Sequence, residues 1–158
     1  MTTVFSVDIK DKPENLYRHM IHGRTNARVT SVRFIPRTEW CVVGDSRGYI
    51  HLYTCPTMDE IKSFKATGRC SVQSLAIHPT CPYLLSVSAC VYDDVIEIWD
   101  WEKGWACCRK VHVYGITHAT FNPMDANTFV TSHYHIAVIK VGLPLLLLLL
   151  CILYERSY

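Results

Sequence analysis

The chain has 158 residues, of which 49% are hydrophobic and 19% charged, and its formal net charge is +2. That length suits one domain, and that balance excludes a disordered chain. No dense Lys/Arg run is present, which excludes an electrostatic nucleic-acid footprint.

Residues 1–27 open with MTTVFSVDIKDK, which lacks the apolar core of a secretory signal. A pattern then begins that recurs three times. VRFIP at 32–36 is followed by WCVVG at 40–44, a DSRG turn and YIHLY at 49–53. LAIHP at 75–79 is followed by YLLSVS at 83–88, a polar break and VIEIW at 95–99. ATFNP at 119–123 is followed by TFVT at 128–131, a second break and IAVI at 136–139. Fourth runs, IKSF at 61–64 and ACCRKV at 106–111, close the first two units.

The prolines at 36, 79 and 123 set a period of 43 and 44 residues. Each run is short, alternating or β-branched, and bounded by turn residues, so it reads as a strand. Proline after a run ends it, because proline cannot donate to a sheet ladder. The expected unit is a four-stranded antiparallel sheet, and its period is that of a propeller blade.

The C-terminus differs in kind. After Pro144 the chain reads LLLLLLCILY and then ERSY, and the apolar run from 141 to 154 is 14 residues long. A membrane-spanning helix needs roughly 20. The tail reads as an extension unrelated to the repeats, with a weak membrane association as the alternative.

The stretch IEIWDWEKGW at 96–105 holds three of the four tryptophans. Its Trp99-Asp100 pair ends the third strand of the second unit, where WD40 repeats carry their WD dipeptide. The chain resembles that family. In it, a buried Trp, a strand Ser/Thr, a turn Asp and an upstream His form a hydrogen-bonded set. Trp99, Ser86 and Asp93 or Asp94 match three members. Ala66-Thr67-Gly68 stands where the His is usual.

Thr57-Met58-Asp59, HPTxPYxLSxS at 78–88, WDWEKGW at 99–105 and TFNPxDxNTF at 120–129 carry a closer likeness. They resemble the N-terminal propeller of the coatomer β′ family, especially its plant form. The resemblance implies an all-β fold, a partial WD40 β-propeller of about three four-stranded blades at 28–68, 69–113 and 114–141. Residues 1–27 form a diverged N-terminal segment, and 142–158 an apolar tail.

The resemblance also implies a role in COPI vesicle transport between Golgi and endoplasmic reticulum. The protein would be cytoplasmic, peripheral to Golgi membranes, with coatomer subunits and dilysine cargo tails as partners. Two ammonium groups need carboxylates, and Asp93 and Asp94 match the family's Asp-Asp turn. A family acid falls near Cys70 or Ser71, and a family base at Thr30, all uncharged here. Ser86, Trp99, Asp100 and His78 are the expected structural residues of the blade. The open blade faces of a short array would favour self-association.

Other chemistry has little footing. Cys107, Cys108, His112, His118, His133 and His135 gather without zinc-ligand spacing, so no metal or cofactor is expected. No catalytic motif is present, and no enzyme is expected. The eight cysteines lack C-x-x-C spacing and read as small apolar side chains in a reducing context, not as a disulfide framework.

Overall fold

The computed structural model of the chain describes residues 2–6, 17–21, 27–67, 70–90, 94–132 and 136–140. All its regular elements are strands. β1 (Thr2–Ser6) and β2 (Tyr17–Ile21) pair antiparallel. The first of three larger sheets holds β3 (Val29–Phe34), β4 (Trp40–Asp45), β5 (Tyr49–Thr54) and β6 (Glu60–Lys65). The second holds β7 (Val72–Ile77), β8 (Tyr83–Ser88), β9 (Asp94–Asp100) and β10 (Ala106–Val113). The third holds β11 (His118–Asn122), β12 (Asp125–Ser132) and β13 (Ile136–Lys140). Strands follow chain order within each sheet, and every pairing is antiparallel.

The expectation of four strands per blade holds for the first two sheets. Among the described residues the third has three, and the apolar tail lies outside the description. No described helix is long and apolar enough to cross a membrane.

Side chains alternate across each strand, so each sheet presents two faces. Val42, Ile50 and Leu52 of the first sheet meet Val72, Leu75, Leu84 and Trp99 of the second. On the second sheet's other face, Leu85, Val87, Ile96 and Ile98 meet Ala119, Phe121, Phe129 and Ile139. The middle sheet is thus packed on both sides, and β9 is buried at every position. The third sheet's outward side is different: Ile136 and Val138 are 71% and 61% exposed.

Turn chemistry fixes the hairpins. Asp45 Oδ1 accepts the Arg47 and Tyr49 N–H groups, both at 2.8 Å, and Gly48 supplies a φ of 83°. Such a left-handed residue is the natural place for glycine. Gly44 is needed for closeness instead: a Cβ there would sit 2.7 Å from Val72 Cγ1. Gly44→Ala is expected to lower stability by about 1–3 kcal/mol through this overpacking, read as a lower urea midpoint at unchanged slope.

The cysteines correct one expectation. Cys70 and Cys90 form a disulfide, while Cys41, Cys55, Cys81, Cys107 and Cys108 are free. The reading of cysteines as plain apolar side chains fails at this pair because Cys70 precedes β7 and Cys90 follows β8. The hairpin brings their Cα atoms to 5.5 Å, within bridging range.

Cys41 is fully buried. Burial, helped by the neighbouring Cys55, pushes its thiol up to about 12 from an ordinary 9.0. Protonated, the thiol favours the folded state. That contribution is complete below pH 9.0 and fades as pH rises toward about 12. Burial and then Glu60 likewise push Tyr53 up to about 12. The urea midpoint is expected to fall across this alkaline window. Cys41→Val should flatten the fall, leaving the slope above pH 10.0 that belongs to Tyr53.

Candidate partner-binding face

Among the described residues, those at the ends of the second strands lie beside those that enter each sheet, at one end of the stack. Ser46 N donates to Arg28 O at 2.8 Å, and Ala66 N to Gly48 O at 2.9 Å. Ala89 N donates to Ser71 O at 3.2 Å, and Thr117 N to Ser132 O at 3.1 Å. Of the residues carried over from the resemblance, Asp94, Thr30 and Cys70 lie at this end, while His78 and Asp100 lie at the other.

Asp93 lies outside the described residues. Asp94 is buried, and both its carboxylate oxygens are occupied. Oδ1 accepts the Cys90 N–H at 3.2 Å, and Oδ2 accepts the Ile116 N–H at 2.8 Å. The second bond ties the β8–β9 turn to the linker that leads into the third sheet. Thr30, at the family's basic position, donates its hydroxyl to Gly44 O at 3.0 Å and also to Val72 O. Cys70 is in the disulfide. These side chains serve the blades' own backbone.

Beneath this end lies the blade's internal polar set. Trp99 Nε1 donates to Ser86 Oγ at 2.9 Å, and both side chains are buried. The register makes the bond possible: β8 and β9 pair Leu84 with Trp99 and Ser86 with Glu97, so all four project to one face. Glu97 is fully buried and escaped the sequence reading. Its carboxylate accepts the Thr67 N–H at 3.0 Å and the Thr67 hydroxyl as well. Thr67 thus stands where the resemblance implies histidine, and Glu97 is its partner. The signal for Glu97 was a single acid in the run Val95, Ile96, Ile98 and Trp99, which is otherwise apolar.

His78 is buried at the β7–β8 turn. Its Nδ1 accepts the Cys81 N–H at 2.9 Å and the Thr80 N–H at 3.3 Å. That places the ring proton on Nε2, and the ring meets Phe121 edge-on at 5.3 Å. Asp100 is buried at the β9–β10 turn, at the same end of the sheet, where the register sets it opposite Tyr83. It accepts the Glu102 N–H at 3.1 Å and the Lys103 N–H at 3.3 Å, and pairs with Lys103 Nζ at 3.1 Å.

The other two tryptophans of 96–105 belong to a rim between the first two sheets. Phe64 lies 4.9 Å from Trp99 and 5.8 Å from Trp105, and Trp101 lies 5.9 Å from Trp105. Lys62 Nζ reaches across to Gly104 O at 2.9 Å. Trp105 holds a φ of 65°, a left-handed conformation uncommon for a bulky residue. The turn aims its ring back at Phe64 instead of outward.

Comparison with known proteins agrees with this architecture. Residues 58–100 match the family described as WD domain, G-beta repeat. Coatomer subunit beta'-2 of Arabidopsis thaliana is 50% identical over 36 residues, which is 22% of this chain and 4% of that protein. Coatomer subunit beta'-1 of Oryza sativa subsp. japonica is 44% identical over the same length and shares. The chain's match thus spans a small fraction of these relatives. The beta-propeller domain of Myceliophteria thermophila Cps50 (Swd1) superposes with a TM-score of 0.64 at 19% identity, covering 76% of this chain and 37% of that one. A chain of the Mitotic Checkpoint Complex gives 0.64 at 11%, covering 80% and 37%. At such identities the likeness concerns fold alone: three stacked sheets of a β-propeller.

Proposed function

We propose that this WD-repeat chain, part of a β-propeller, is a protein-interaction scaffold of the coatomer β′ kind, serving COPI vesicle transport between Golgi and endoplasmic reticulum from the cytoplasmic side. The observation that carries this reading is the 36-residue likeness at 50% identity to a coatomer β′ subunit. The repeat's intact Trp99–Ser86 pair supports it. A propeller acts through the surfaces its turns and faces present, and an exposed apolar face is a surface of that sort. Immobilised full-length chain is expected to retain coatomer subunits from cytosol. A folded chain that retains none would sink the proposal.

A second reading, a diverged array that holds no cargo, is favoured by Asp94. Both its oxygens already accept backbone N–H groups and the side chain is buried, so Asp94 offers an ammonium group little surface. Calorimetric titration with a dilysine-tailed peptide separates the two readings: binding favours cargo recognition, and silence favours the diverged array. The exposed Ile136 and Val138 support self-association through the third sheet. The chain alone is expected to elute from a sizing column above its monomer mass. A soluble monomer would count against that.

A further inference from the structure

We propose that the Cys70–Cys90 bridge is a thiol–disulfide switch that sets the tension of the Asp94 latch between the second and third sheets. The bridge joins the linker entering β7 to the turn leaving β8. The hairpin does not depend on it. β7 and β8 pair from Val72↔Ser88 to Ile77↔Leu84, and Ala89 N still reaches Ser71 O one step beyond. Reduction therefore leaves the sheet whole.

What reduction alters is the turn. Cys90 carries the N–H that Asp94 Oδ1 accepts, and Asp94 Oδ2 accepts the Ile116 N–H that starts the third sheet's linker. One covalent bond thus restrains one side of a carboxylate whose other side holds the neighbouring blade. Both bridge cysteines are half-buried, within reach of a small reductant. Five other described cysteines remain free thiols, so the chain is not a disulfide scaffold in which one bridge merely shares the load.

The chemistry balances with a dithiol reductant. One thiolate attacks a bridge sulfur, forms a mixed disulfide and expels the other cysteine as thiolate. The reductant's second thiol then attacks the mixed disulfide and closes its own ring. Two electrons pass from dithiol to bridge, and the two dithiol protons end on Cys70 and Cys90. Any effect on partner capture rests on the scaffold reading above. The switch itself does not.

The test is hydrogen exchange on the full chain, oxidised and after dithiothreitol, with maleimide labelling to count thiols. Reduction is expected to add two labelled thiols and to raise exchange at the Ile116 amide by about tenfold, with Leu85 unchanged. The Cys70→Ser/Cys90→Ser variant should show the fast Ile116 exchange without reductant and no further response. Equal Ile116 exchange in both redox states, or free Cys70 and Cys90 thiols in the oxidised chain, overturns the proposal. Coatomer capture is measured in parallel. Its absence in both states beside an intact Ile116 response removes the scaffold reading and supports the switch alone.

Discussion

Trp99→Ala is expected to lower the free energy of unfolding by about 3–5 kcal/mol, the range for deleting a buried large aromatic side chain. Three losses combine. The indole area leaves the interface between first and second sheets, where it packs with Val42, Leu52 and Leu75. The contact with Phe64 at 4.9 Å disappears. The Ser86 hydroxyl, fully buried, loses its donor. Single domains hold only about 5–15 kcal/mol, so the loss removes a large share of the total. Trp99→Phe keeps most of the area and loses the Nε1–H bond, for a smaller cost of about 1–2 kcal/mol. Urea unfolding of both variants, with and without Ser86→Ala, checks this. The Phe cost should shrink when Ser86 is already alanine. An unchanged cost would show that the hydrogen bond is not the cause.

Asp94→Ala is expected to cost about 2–5 kcal/mol, because two N–H groups, those of Cys90 and Ile116, lose their acceptor. Asp94→Asn should recover part of it. An amide offers one carbonyl oxygen, enough for one of the two bonds. Thermal unfolding with hydrogen exchange at Ile116 reads both effects. If Asp94 were instead a free surface carboxylate, Asp94→Ala would stay within about 0.5 kcal/mol of the parent. The result also governs how binding data are read. A capture defect in Asp94→Ala that tracks instability reports on the latch, and the Asn variant separates the two.

The strand plan was legible because blades repeat. Prolines at similar spacing and runs such as VIEIW mark the ladder without help from distant residues, since strand period and turn chemistry are local. Trp99 and Ser86 could be paired on paper because family likeness supplied their register. Asp94 was legible as a turn acid but not as a latch, because its second partner is Ile116, far along the chain. Glu97 was missed for a related reason: in a strand packed on both sides, alternation no longer separates inside from outside. Thr67 and Glu97 meet only when two sheets stack. The disulfide was missed because hairpin register, not cysteine spacing, decides which thiols face each other.

The burial of β9 at every position has a consequence for mutational tolerance. A residue on a one-sided strand answers to a single neighbour, and its outward positions drift freely. A seven-residue strand with two packed faces has no such outlet. Ile96 and Ile98 are held by the third sheet, Trp99 by the first, and Glu97 by Thr67 in the linker that follows it. Acceptable change there must come as matched pairs across an interface, which arise more slowly than single substitutions. β9 lies within residues 58–100, the stretch that still matches the repeat family. Saturation mutagenesis with a stability readout should find its deepest intolerance along this strand and its shallowest at the outward positions of β13.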